Sequence, residues 1–224
     1  MRLRVLTWNL MHGRSIPPSG RELLAEFASA LAGWDWDVAL LQEVPPWWPS
    51  RLAQRLDCEQ RMVLTSRYEL LALRRALAIR WPDLIKSNGG GCNAILARAD
   101  RIVADRRARL CLLPERRWLH AVRLAQGVWV GNLHATVHNP AAAERESRVA
   151  AQTALAWAQA EPLALGGDFN LRELSLDGLE HAASHDVDHV FAARLAAVDS
   201  PQVLDRGALS DHAPVAVTLD RAPA

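Results

Sequence analysis

Short apolar runs and helical stretches alternate along the chain. Leu3 to Trp8 reads as a strand. From Arg21 to Ala32, Leu23, Leu24, Phe27 and Leu31 recur at helical spacing. Asp37 to Gln42 carries the unbroken apolar run Val38 to Leu41, the pattern of a strand buried on both faces. A weaker helix, Trp47 to Leu56, follows the Pro45-Pro46 break. Between Met62 and Val130 the pattern is strand-like: MVLT, ALAIR, NAILA, RIVA, LHAVRL and VWVGNLH, with Gly89-Gly90-Gly91 as a loop. The clearest helix runs from Ala141 to Ala160, with Asn139 as N-cap and Pro140 at its first position. Leu163 to Leu165, Val187 to Phe191, Ala197 to Leu204 and Ala213 to Leu219 read as the remaining strands. Paired strands with helical crossovers predict two packed sheets with helices outside. No linker or repeat divides the chain, so residues 1–224 are read as one domain.

Composition excludes more than it identifies. With 50% hydrophobic and 23% charged residues the chain is globular rather than disordered. Its 26 basic and 25 acidic residues leave a net charge of +1, so no strongly basic nucleic-acid coat exists, while a local basic groove stays open. Lys86 is the sole lysine; the arginine and alanine richness fits codon bias. Cys58, Cys92 and Cys111 form no CxxC or disulfide framework and predict free thiols in a reducing cytoplasm. There is no signal-peptide pattern at the N-terminus and no apolar run of about 18 residues to span a membrane. A monomer is expected.

The informative positions are polar groups at strand ends. Asn9 closes the first strand, and Gln42 with Glu43 the second. Asn132 and His134 end VWVGNLH, Asp168 and Asn170 follow LALGG, Asp188 and His189 sit in VDHVF, and Asp211-His212 precede APVAV. Alone, each is an ordinary turn or surface residue. Gathered on one rim of an open α/β arrangement, where sites form, they would be costly without a task. Carboxylate and amide oxygens suit Mg²⁺ or Mn²⁺. Histidines with a carboxylate partner suit proton transfer and anion stabilisation. Together they are the parts for metal-assisted phosphoester hydrolysis.

The ordered motifs TWN (Thr7–Asn9), LQEV (Leu41–Val44), GCNAIL (Gly91–Leu96), GNLH (Gly131–His134), GGDFN (Gly166–Asn170), VDHVF (Val187–Phe191) and SDHAPV (Ser210–Val215) resemble the endonuclease/exonuclease/phosphatase superfamily. The resemblance runs from Asn9 to Val215. It implies a four-layer α/β sandwich, two mixed β-sheets face to face with helices outside. It implies a divalent-metal-dependent phosphodiesterase, foremost a nuclease on DNA or RNA. The alternatives are a phosphatase or phosphodiesterase for a small or lipid phosphoester, and a non-catalytic nucleic-acid-binding module. By the same resemblance Glu43 is the main metal ligand, helped by Asn9 and Asp211. Asp168 orients or deprotonates the attacking water, Asn170 contacts a phosphate oxygen, and His212 contacts the phosphate or acts as base. Asp188 orients His212, and His134 is a general acid or charge stabiliser. Asn132 and Asn93 occupy substrate-side positions, with a purely bracing role equally open. A phosphate-contacting tyrosine is not evident; Tyr68 is the one tyrosine, outside any motif. Arg116-Arg117 are read as a solvated turn, the Trp34, Trp36, Trp47 and Trp48 group as packing, and His12 and His138 as lacking a motif.

Overall fold

The computed structural model describes residues 2–66, 70–81, 83–84, 91–98, 100–113 and 115–222. Tyr68, Lys86 and Gly89-Gly90 of the glycine loop lie outside them; Gly91 opens a strand. The chain runs β1 (Arg2–Asn9), α1 (Leu24–Gly33), β2 (Val38–Val44), α2 (Pro49–Leu56), β3 (Glu59–Ser66), α3 (Leu71–Arg80) and β4 (Gly91–Ala97). It continues through β5 (Ile102–Cys111), β6 (Arg117–Leu124), β7 (Trp129–His134), α4 (Pro140–Ala158), β8 (Leu163–Asp168), β9 (Glu180–His185) and β10 (Asp188–Ala193). The last strands are β11 (Leu195–Ala197), β12 (Gln202–Val203) and β13 (Val215–Arg221).

One sheet has the order β11-β13-β1-β2-β4-β3 with β12 on β13, and the other β5-β6-β7-β8-β10-β9. Each contains one parallel pair, β1/β2 and β7/β8, among antiparallel neighbours. Alternation along the strands assigns the side chains. Leu3, Val5, Leu40, Ile95, Val122, Val130, Val190 and Val217 fill the space between the sheets. Leu6, Trp8, Leu41 and Leu96 face outward and pack under α1 and α2, where Phe27, Trp36 and Trp48 are buried. On the other side Leu119, Leu133 and Leu165 pack beneath the alanine face of α4. The result is the four-layer α/β sandwich.

Two glycines set how closely the layers approach. A Cβ on Gly166 would come 2.8 Å from Leu40 of the opposite sheet. Gly167 adopts φ +143°, and a Cβ there would fall 1.9 Å from the Leu133 carbonyl oxygen, which no side chain tolerates. Gly167 thereby brings the start of the GDFN turn against the end of β7.

Three expectations are corrected. ALAIR is the second half of helix α3, not a strand. Leu, Ala and Arg are strong helix formers, and none of its residues is buried, so no sheet contact overrides that preference. The strand expected over 197–204 is divided into β11 and β12, because the Asp199 carboxylate and Val198 N–H turn to Thr218 in between. Arg117 is no solvated turn: it opens β6 with 4% exposure, and its Nη2 lies 3.0 Å from the Glu115 carboxylate. The edge strand β9 was not expected; EHAASH lacks branched residues and exposes most of its side chains. Among the described residues no helix is long and apolar enough to cross a membrane.

Candidate active site

Both parallel pairs end on the same rim. In register, Asn9 of β1 stands beside Gln42 of β2, and His134 of β7 beside Asp168 of β8. Asp188 opens β10 directly opposite Asp168. Asp211 and His212 come from the turn before β13, held by the Ser210 hydroxyl, which donates to the Asn9 carbonyl (2.6 Å) and accepts from the His212 N–H (3.1 Å). Trp8 Nε1 donates to the His212 carbonyl at 3.0 Å. Residues more than two hundred positions apart thus converge.

Beneath the rim, amides join the sheets. Gln42 Nε2 donates to Asn132 Oδ1 at 2.8 Å, and Asn132 Nδ2 donates to the carbonyls of Leu41 and Ala94. Asn132 is fully buried, with its amide occupied by protein groups. Asn93 is buried on β4, and among the described residues neither its oxygen nor its nitrogen has a partner. An unpartnered buried amide costs about 1–3 kcal/mol.

Above that layer, Asn9 Nδ2 donates to Asp168 Oδ2 at 2.9 Å, and the Asn170 N–H donates to Asp168 Oδ1 at 3.0 Å. His134 Nε2 lies 3.5 Å from Asp168 Oδ2 and 3.9 Å from Glu43 Oε1. His212 Nε2 lies 3.9 Å from Asp168 Oδ2, while its Nδ1 is 2.7 Å from Asp188 Oδ2. Asn170 Nδ2 donates to the Ala135 carbonyl, and α4 contributes Glu146, whose two oxygens accept from the Thr136 N–H and hydroxyl just past His134. Glu43, Asp168, His134 and His212 therefore form one continuous group. Asp211 is exposed at its edge, with Oδ1 3.5 Å from Ser210 Oγ.

Burial and charge shift these groups apart. Burial pushes the Asp168 carboxyl up, the nearby Asp188 adds to it, and His212 works against it. Burial likewise raises Asp188, opposed by His212. For His212 burial favours the neutral ring, but the Asp188 hydrogen bond and the charges of Asp188, Asp168 and Asp211 outweigh it and hold the imidazolium to about 9. His134 is pushed well below the ordinary histidine value, first by burial and then by Arg117, His212 and His12. One histidine is thus built as a cation and the other as a neutral ring around one carboxylate.

Several site residues have left-handed backbones: Met11, His12, Glu43, Asn170 and Ser210. Each such conformation costs on the order of 1–3 kcal/mol in a non-glycine residue, and such residues cluster at functional sites. Met11, His12 and Ser210 are not among the site residues expected from the sequence, and two of these have side chains at the site. His12 sits with Nε2 3.2 Å from Glu43 Oε2. Its signal was weak, a histidine three residues past Asn9 and followed by Gly13. Ser210, the clamp of the SDH turn, was visible in its motif but not singled out.

The donor set can be tested for a cation. Among the described residues, Asp168, Asp188 and His212 have ligand atoms within 4.8 Å of one another. His212 Nδ1 and Asp188 are already engaged with each other, so that trio reads as a proton-handling group. Glu43 and Asp211 supply carboxylate oxygens at the open rim, donors that fit a hard divalent cation.

Comparison with solved structures shows the same fold elsewhere. An endonuclease/exonuclease/phosphatase from Beutenbergia cavernae superposes with a TM-score of 0.74 at 20% identity, over 98% of this chain and 72% of that one. One from Bacteroides vulgatus gives 0.71 at 13% identity, over 99% and 100%. TDP2 from Caenorhabditis elegans gives 0.68 at 15% identity, over 98% and 75%. No curated protein matches in sequence. Residues 6–212, spanning every site element from β1 to His212, match the Endonuclease/Exonuclease/phosphatase family, and the chain belongs to that family of phosphoester hydrolases.

Proposed function

We propose that this protein is a divalent-metal-dependent phosphodiesterase, a nuclease that hydrolyses DNA or RNA phosphodiester bonds. One observation carries the reading: the buried Asp168 carboxylate is fixed by Asn9 and Asn170 and flanked by a neutral His134 and a cationic His212. Glu43 and Asp211, helped by the Asn9 amide oxygen, would hold Mg²⁺ or Mn²⁺. The bound ion would neutralise charge on the phosphate. Asp168, with a raised proton affinity, accepts the proton of the attacking water at Oδ2. His212 donates Nε2–H to a phosphate oxygen, with Asp188 holding the ring. Asn170 lines the phosphate position, and His134, neutral and adjacent to both Glu43 and Asp168, stabilises the departing oxygen. Asn132 and Asn93 support the floor beneath these groups. Free thiols at Cys58, Cys92 and Cys111 suit a cytoplasmic setting.

The test is cleavage of plasmid, single-stranded DNA, RNA and abasic duplex with Mg²⁺ or Mn²⁺ and with chelator. Chelator is expected to abolish cleavage, and Glu43→Ala to lower it by about 10²-fold or more. Chelator-resistant cleavage, or a Glu43→Ala protein as active as the parent, overturns the reading.

A second substrate reading rests on charge. The net charge of +1 offers little to a polyanion. If the substrate is instead a small or lipid phosphoester, KM varies little with salt and nucleic acids are not cut.

A further inference from the structure

The turn after β1 spans Met11–Gly13 and has a backbone that needs explaining. Met11 and His12 are left-handed at φ 46° and 54°. Gly13 follows at φ +75°, where a Cβ would fall 2.3 Å from the Trp48 ring. Three hydrogen bonds clamp this path: Leu10 N–H to the Gln42 carbonyl, Gly13 N–H to the Leu10 carbonyl, and Met11 N–H to Asn9 Oδ1. Two successive non-glycine residues held this way are strained, and such strain persists only where the surrounding structure fixes it.

The outcome of that path is the position of one imidazole. His12 Nε2 lies 3.2 Å from Glu43 Oε2, with the two side chains 16% and 26% exposed. Glu43 is itself left-handed, at φ 50°, within the irregularity that interrupts β2–β4 pairing between Leu41 and Val44. Two strained segments, one from each strand of a parallel pair, therefore meet at this contact. His12 Nδ1 is buried and has no partner.

We propose that His12 is a positioning residue for Glu43: its Nε2 stands against Oε2 and so leaves Oε1, on the His134 side, to face the divalent cation. This rests on the reading of Glu43 as a cation ligand. Partners that orient a ligating carboxylate typically affect metal affinity by about 10–100-fold.

The experiment measures Mn²⁺ binding to the full chain by the loss of the free-ion electron paramagnetic resonance signal. His12→Gln can place an amide N–H where Nε2 stands; His12→Asn is polar but too short. Expected is near-parental affinity for His12→Gln, within about 3-fold, and a loss of about 10-fold or more for His12→Asn. The double variant His12→Asn/Glu43→Gln should bind no more weakly than Glu43→Gln. With excess Mn²⁺, kcat of His12→Asn should recover while the metal concentration for half-maximal rate rises. Unchanged affinity in His12→Asn overturns the proposal, as does equal loss in both histidine variants. If Glu43→Gln binds Mn²⁺ like the parent, or the parent binds none, the underlying metal reading falls with it; normal loss in Glu43→Gln with unchanged His12→Asn removes only the role of His12.

Discussion

Asp188 governs the charge of His212. Its carboxylate, 2.7 Å from Nδ1, is the main reason the imidazolium persists to about 9 despite burial. Asp188→Asn removes that charge, so the His212 proton affinity falls, with only Asp168 and Asp211 left to oppose burial. The alkaline limb of the rate–pH profile should move to lower pH by more than about one unit, with the acid limb less affected. A limb that stays in place argues that His212 does not act as a cation. Replacing Asp168 with Asn or His212 with Ala should each lower kcat by about 10²-fold or more, measured with saturating metal. His120 shows the opposite electrostatics away from the rim: burial pulls it below 6.5 although Asp105 Oδ1 lies 3.0 Å from Nε2. A depressed folded value means the unfolded chain takes up the proton first, so the contribution is complete above 6.5 and is lost as pH falls beneath it. Relative to His120→Gln, the parent should therefore lose stability in urea titrations as pH drops through that value; a constant difference refutes the assignment.

At the scale of elements, placement of the site depends on one glycine and is indifferent to one helix. Gly167→Ala drives a methyl into the Leu133 carbonyl, 1.9 Å away, in a backbone region that alanine avoids. The variant should fail to fold, or lose about 4 kcal/mol or more together with activity. Helix α3 buries no residue, so replacing 71–80 by a short glycine-rich loop should change Tm by only about 2 °C. A large fall would reveal packing of α3 against the body. The same contrast explains what the sequence could disclose. Strands with an apolar face towards each neighbour, such as β2 and β4, were legible because both faces are buried. Helix α4 was legible from its cap: Asn139 Oδ1 accepts the Ala142 N–H at 3.1 Å. Helix α3 and strand β9 were not, because neither has a full buried face to impose periodicity. The motif residues were visible as polar groups at the ends of apolar runs. His12 was not, because its position follows from backbone angles at Met11 and His12 that no pattern of apolar spacing encodes.

At the scale of the molecule, the site belongs to neither sheet. Asn9 and Glu43 stand on strands of one, His134, Asp168 and Asp188 on strands of the other, and His212 arrives on the returning chain. The Gln42–Asn132 and Asn9–Asp168 hydrogen bonds are the fasteners across the gap. Gln42→Ala removes the first of them and leaves Asn132 Oδ1 buried without a donor, and a destabilisation of about 1–3 kcal/mol should appear in urea unfolding. An unchanged midpoint would mean that water or a neighbour replaces the glutamine.

The Asn9–Asp168 bridge has a wider consequence. On the proposed reading each slab holds only part of the machinery, so a slight parting of the two would silence turnover while every strand is still intact. Catalysis would then be a gauge of closure, throttled by anything that wedges the layers at the rim long before the protein is lost to unfolding.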